Sequence, residues 1–161
     1  MTENLISAAR EQAAALTRSA YEKAAAAGAL PAGADIKAQV DIPKDTKNGD
    51  YATSFALAAA KALGKATRDI AQALMDDVEL EGSYFDKVEM AGPGFLNFTL
   101  GRKWFAETLN SVEEAGETYG ASREGKGKRV MVEFVSANPT GPMHIGNARG
   151  GVRGAALAAV L

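Results

Sequence analysis

His144, the one histidine of the chain, stands three residues before Asn147, close to one helical turn away. Both side chains can therefore face the same ligand. Gly146 lies between them and has no Cβ to keep a flat base or a phosphate off the backbone. Around them, residues 132–150 read VEFVSANPTGPMHIGNARG, an apolar stretch that breaks into Pro and Gly and then enters a helical pattern. A loop leaving a strand for a helix suits phosphate, because the first N–H groups of the helix lack internal partners and carry the positive end of its dipole. That end effect is worth about 0.3–1 kcal/mol for an exposed anion, so side-chain donors must add to it. Pro139 and Pro142 stiffen the loop and reduce the entropy lost when it closes on a ligand. On type and spacing alone, His144 is either a cap or surface residue, or a group that holds a ligand. The segment is not the dinucleotide pattern, since GNARGG lacks the first glycine pair of G-x-G-x-x-G.

The rest of the composition narrows the chemistry. The chain has 161 residues, 47% hydrophobic and 24% charged, an ordinary globular balance. A chain of this size buries roughly two-thirds of its unfolded surface and can hold one real core. Its net charge of −2 argues against nonspecific binding of polyanions, although a shape-specific reader with a local basic patch remains open. Cysteine is absent, which excludes disulfides, thiolate nucleophiles and Cys-based zinc sites. With a single histidine no metal site is expected. Glu3 and Arg10 break the apolar character of the N-terminus, which therefore does not read as a secretory signal. No apolar run approaches the about 18 residues needed to span a membrane, so the expected location is cytoplasmic.

The elements that must position the loop follow from periodicity and turn chemistry. Residues 4–27 are Ala-rich, with Leu5, Ala9, Ala13, Leu16 and Ala20 on one stripe, which predicts a helix ended by Gly28. Ile36, Ala38 and Val40 alternate with polar residues and predict a half-buried strand. IPKDTKNGDYAT, residues 42–53, is dense in turn formers and predicts a loop. A second helix is expected over 53–63, closed by Gly64, and a third with Thr67 as N-cap and Ile70, Leu74 and Val78 on its face. Phe85–Met90 and Phe95–Leu100 flank AGPG and predict a hairpin. Residues 102–116 predict an amphipathic helix with Trp104, Phe105, Leu109 and Val112 roughly on one side. VMVEFV, residues 130–135, reads as a strand buried in a parallel sheet, followed by a helix from Ile145 or Arg149 onward. Three parts are therefore expected: an α+β domain over 1–115, a polar Gly-rich linker over 116–128, and the first strand–loop–helix of a larger domain over 129–161.

The full string 132–150 resembles the signature of the arginyl-tRNA synthetases, class I aminoacyl-tRNA synthetases whose nucleotide-binding fold carries a His-Ile-Gly-His motif. The lead-in SANPTG is particular to the arginine enzyme within that class. Upstream, IPKDTKNGDYAT and MAGPGFLNFTL look like the family's N-terminal appended domain. The resemblance implies an antiparallel sheet with helices, then the start of a Rossmann-like catalytic domain. It implies an ATP-dependent ligase that forms arginyl-adenylate and moves arginine to its tRNA, with Mg2+ accompanying ATP and no tightly bound cofactor. ATP contacts would fall on His144, Gly146 and Asn147, with His144 and Asn147 catalytic. His144 would stabilise charge at the α-phosphate by placement rather than by proton transfer. Asn147 departs from the motif's last histidine and can donate a hydrogen bond but carries no charge.

Arginine would be held by Glu133, Ser136 and Asn138, where a carboxylate beside a guanidinium or ammonium group makes charge-assisted bonds. Glu133 also reads as an ordinary strand residue with an ion-pair partner, and Ser136 as a turn-forming hydroxyl. The appended domain implies contact with the tRNA elbow, chiefly the D-loop, through Phe95 and Asn97. An aromatic ring on a sheet can stack on an unpaired base for about 1–3 kcal/mol, and an adjacent amide can read its edge. Phe95 can equally be core, and Tyr51 reads as a packing residue of the same region. The family's Lys-Met-Ser-Lys-Ser-type loop is not in this sequence. The expectation is an N-terminal fragment without aminoacylation activity of its own, with Val130–Val135 lacking cover and residues 117–129 open to proteolysis. The alternative is a freestanding tRNA-binding module without catalysis.

Overall fold

The computed structural model describes residues 4–34, 36–121 and 125–161. Glu3 and residues 122–124 of the expected linker lie outside the described residues. The chain forms two compact units, Met1–Tyr119 and Gly120–Leu161.

The first unit begins with helix α1, Leu5–Ala26, whose N-cap Asn4 accepts from the backbone N–H of Ile6 at 3.1 Å and of Ser7 at 3.3 Å. These bonds satisfy donors that a helix start leaves unpaired. The alanine stripe faces inward, with Ala9, Ala13, Ala20 and Ala24 buried together with Thr17 and Tyr21. Two more helices follow, α2 (Phe55–Leu63) and α3 (Thr67–Asp77). Gly64 closes α2 in the left-handed region at φ 61°, where glycine carries no Cβ penalty. The sheet has four strands, β1 (Val40–Asp41), β2 (Tyr51–Thr53), β3 (Phe85–Ala91) and β4 (Phe95–Leu100), in the order β1-β2-β4-β3 and antiparallel throughout. The α+β architecture expected from the sequence is therefore present, with the hairpin of β3 and β4 forming one side of the sheet and β3 its edge.

Side chains alternate across β4. Leu96 and Phe98 are buried in one core with Phe55, Ile70 and Leu74 from the helices and with Val40, Tyr51 and Phe85 from the other strands. Phe85 packs against Phe98 at a ring separation of 5.2 Å. Residues paired across strands share a face, so Tyr51 opposite Phe98 and Thr53 opposite Leu96 lie on the core face, while Ala52 and Glu89 flank Asn97 on the other.

Several expectations change. Burial alternates through 36–41 as predicted, but only Val40 and Asp41 pair with a neighbour. Tyr51–Thr53, expected as loop, is strand β2, because β4 offers it a full antiparallel edge. Thr67 is the first residue of α3 rather than its N-cap, and its hydroxyl donates to the Pro93 carbonyl instead. Helix α4, Arg102–Ala115, forms as expected. Trp104 packs against the core and its indole N–H donates to Leu5 O at 3.0 Å, yet Phe105, Leu109 and Val112 are exposed.

In the second unit, residues 130–135 join no sheet among the described residues, contrary to the expected strand. A parallel strand needs neighbours on both edges to satisfy its backbone, and no described strand of this unit provides one. Helix α5 runs from Ile145 to Val160. Its glycines receive the preceding segment: a Cβ on Gly154 would lie 2.2 Å from Phe134 Cγ, and one on Gly151 would lie 2.9 Å from Val135 Cγ2. Val135 has φ 57°, a left-handed conformation that costs a β-branched residue about 1–3 kcal/mol.

Candidate functional site

In the second unit the loop and the start of α5 enclose a recess of about 380 Å³, lined by Ser136, Asn138, Thr140, Pro142, His144 and Asn147. His144 is the N-cap of α5, and its Nδ1 accepts from the Gly146 N–H at 3.1 Å. Asn147 Oδ1 in turn accepts from the His144 N–H at 3.1 Å. The two bonds form a reciprocal cap. An accepting Nδ1 assigns the ring proton to Nε2. Asn147 likewise spends its oxygen and keeps its NH2 group. Two donors, an imidazole N–H and an amide NH2, are thereby left for an anion at the helix start. The structural and ligand-binding readings of His144 are compatible here, since one ring nitrogen caps and the other is spare.

Of the predicted residues, Ser136, Asn138, His144 and Asn147 come together at this recess. Gly146 sits behind the histidine ring, where a Cβ would lie 2.9 Å from His144 Cε1. Glu133 is exposed and is not part of the lining. No group of three or more His, Cys, Asp or Glu side chains suited to a metal ion occurs among the described residues.

In the first unit, the face of β4 turned away from the core borders a second recess, of about 390 Å³. Phe95 and Asn97 line it, together with Asp41, Lys44, Asn48 and Ser54. Phe95 is half-buried and lies outside the core. Asn97 is 8% exposed; its side chain makes no hydrogen bond among the described residues, and its amide reaches solvent, since no buried side-chain N or O atom among them lacks a partner. Lys44 and Asn48 border this recess too, which the sequence reading did not anticipate. The signal was present in the turn-forming string 42–53, but nothing in that string says which sheet face it crosses. Tyr51 lies on the opposite, core side, with its hydroxyl donating to Ile6 O at 3.0 Å. Burial is the main cause that pushes its pKa up, nearby Asp50 adds to this, and Arg10 opposes it.

The family described as arginyl tRNA synthetase N terminal domain matches residues 6–100. The chain belongs to this family. Among its relatives, the arginine–tRNA ligase of Ruminiclostridium cellulolyticum is 43% identical over 159 residues, covering 99% of this chain and 28% of the relative. The arginine–tRNA ligase of Acetivibrio thermocellus is 41% identical over 158 residues, covering 98% of this chain and 28% of the relative. The chain thus spans 28% of the length of these curated relatives. Its fold is similar to that of the arginyl-tRNA synthetase of Plasmodium falciparum, with a TM-score of 0.50 at 18% identity, covering 92% of this chain and 27% of that one. The family match falls within the first unit and contains Tyr51, Phe95 and Asn97, whereas the matches to the two ligases extend over the His144 loop as well. No helix among the described residues is long and apolar enough to cross a membrane.

Proposed function

We propose that this chain is the N-terminal part of a cytoplasmic, ATP-dependent arginine–tRNA ligase, in which the first unit holds the tRNA elbow and the second opens the nucleotide site. The observation that carries this reading is the position of Phe95 and Asn97 on the face of β4 that the core leaves unused, within the segment that matches the family. An aromatic ring and an amide side by side suit an unpaired base: the ring stacks, and the amide offers both donors and an acceptor to the base edge. The D-loop supplies such bases.

In the second unit, the Nε2–H of His144 and the NH2 of Asn147 would meet phosphate oxygens of ATP at the start of α5. They act by fixed donors placed where negative charge grows, not by proton transfer. Because Asn147 is neutral, the attraction is that of a hydrogen bond rather than of an ion pair. Ser136 and Asn138 offer hydroxyl and amide groups to arginine from the same recess, and Glu133 would reach the substrate's positive charge from the segment before it. Mg2+ would arrive with the phosphates, in keeping with its usual binding through substrate oxygens and water.

Binding of this chain to an arginine tRNA transcript, against an unrelated tRNA at one moderate salt concentration, tests the reading. The expected result is preference for the arginine tRNA, weakened by Phe95→Ala. Equal binding of both RNAs, unaffected by Phe95→Ala, would remove the tRNA contact from this face.

A further inference from the structure

The chain has six asparagines, and only Asn48 precedes a glycine. An asparagine side chain is an electrophile as well as a hydrogen-bonding group. The backbone nitrogen of the next residue can attack its carbonyl carbon and close a five-membered ring. That requires an unshielded nitrogen and a side chain free to swing onto it. A following side chain shields the nitrogen, and glycine has none. The other five asparagines are each held back. Asn4 accepts from the Ile6 and Ser7 N–H groups as the N-cap of α1, and Leu5 follows it. Asn97 is 8% exposed in β4, which is paired along both edges, and Phe98 follows it. Asn110 lies inside α4, where the helix fixes its backbone. Asn138 precedes Pro139, whose nitrogen has no proton to lose. Asn147 caps the His144 N–H, and the N–H that follows it, that of Ala148, donates to His144 O at 3.3 Å.

Asn48 has none of these restraints. It ends a single turn of 3-10 helix, Thr46–Asn48, between β1 and β2. It is exposed, and its side chain makes no hydrogen bond among the described residues. Its own N–H donates to Asp45 O at 3.0 Å, which leaves the side chain free to rotate. We propose that Asn48–Gly49 is a deamidation site, where a neutral amide becomes a carboxylate. Hydroxide removes the Gly49 N–H proton, and the nitrogen attacks Asn48 Cγ. A C–N bond forms, and the Cγ–Nδ2 bond breaks as ammonia leaves with a proton from water, which restores the hydroxide. The product is a cyclic imide. Water then opens the ring at one of its two carbonyls. Breaking the bond from Cγ to the nitrogen restores the normal backbone and leaves aspartate. Breaking the bond from the main-chain carbonyl carbon leaves isoaspartate, with the chain running through the former side chain. The balance is one amide and one water in, one carboxylic acid and one ammonia out. Either product adds one negative charge to the formal net charge of −2, at the rim of the recess that Asn48 shares with Phe95. Isoaspartate also lengthens the turn by one main-chain carbon shortly before Tyr51–Thr53 pairs with β4.

The test ages this chain in mildly alkaline buffer and follows each asparagine by peptide mapping and mass spectrometry against a zero-time sample. Trp104 fluorescence checks that the chain stays folded throughout. The peptide that contains Asn48 should gain about 1 Da, the exchange of an amide for an acid. Because glycine leaves its nitrogen open, this gain should run about tenfold faster than at any other asparagine. Aspartate and isoaspartate have the same mass, so a second probe separates them: an isoaspartyl O-methyltransferase with S-adenosylmethionine labels only the second. It should label the aged wild-type chain and not aged Asn48→Gln, whose longer side chain cannot close the five-membered ring. If another asparagine of the folded chain reacts as fast, or if Asn48 reacts only once urea unfolds the chain, the inference is overturned. A mass gain at Asn48 without methyl labelling would mean direct hydrolysis of the side chain and would overturn the attack by the Gly49 nitrogen.

Discussion

Phe98 and Phe95 are three residues apart on β4, and the fold gives them opposite duties. Phe98 is fully buried at 0% exposure and touches Phe85, whereas Phe95 is half-buried on the far face. Truncating a fully buried Phe to Ala costs about 3–5 kcal/mol, through lost transfer energy and the cavity left behind. Truncating Phe95 removes at most about half of a buried side chain's contribution and leaves no closed cavity, so about 1 kcal/mol is expected. The first unit, at roughly 0.05–0.15 kcal/mol per residue, has a stability of the same order as the larger loss. With a urea dependence of about 2 kcal/mol per molar, Phe98→Ala should lower the unfolding midpoint by roughly 1.5–2.5 M and Phe95→Ala by roughly 0.5 M. Trp104 is the only tryptophan in the chain and its indole donates to Leu5 O in the first unit, so its fluorescence reports on that unit alone. Equal destabilisation by the two variants would mean that Phe95 is core and that the assignment of faces on β4 is wrong.

Three further outcomes follow from the geometry. Gly154→Ala places a Cβ 2.2 Å from Phe134 Cγ, so it should lower amide-exchange protection of α5 even though Ala favours an exposed helix by about 1 kcal/mol; higher protection would refute the packing of Phe134 on Gly154. Asn147→Ala removes the side-chain acceptor for the His144 N–H and should cost α5 about 1 kcal/mol, visible as faster exchange in its first turn, whereas Asn147→Asp should preserve it. The raised pKa of Tyr51 means that the folded state holds its phenolic proton after the unfolded chain has released it. The stability this contributes is complete below the ordinary pKa of 10.0 and is lost as pH rises through the higher folded value; Tyr51→Phe should flatten the alkaline decline of the urea midpoint, and an unchanged decline would count against a buried hydroxyl.

The parts legible in the sequence were those with local causes. The alanine stripe of α1, the closure of α2 at Gly64 and the hairpin around AGPG each follow from neighbours within a few residues. The misses had distant causes. Tyr51–Thr53 is a strand because β4 pairs with it from more than forty residues away, and a three-residue strand is too short to show a period. Thr67 has the right chemistry for a cap, but the hairpin turn brings the Pro93 carbonyl to its hydroxyl. Residues 130–135 have the composition of a buried strand, and composition cannot supply the neighbouring strands that would make them one. At the candidate site, the grouping of Ser136, Asn138, His144 and Asn147 was readable because one short stretch, the loop and the first turn of α5, carries all four. Lys44 and Asn48 were not, since only the order of strands brings their turn beside Phe95.

The turn that carries Lys44 and Asn48 does not hang free. Just after it, Asp50 donates its N–H to Phe98 O at 2.9 Å and accepts the Leu100 N–H on its carboxylate at 2.8 Å. Gly49 lies so close to β4 that a Cβ there would be 2.7 Å from Phe98 O, with φ at 78°. The base of one wall is thus bolted to the strand that forms the other. A site held open in this way has little ordering left to do when a ligand arrives. On the proposed reading of this face as a tRNA contact, encounters should proceed without a slow closing step, and differences between tRNA variants should emerge as differences in residence time rather than in arrival rate.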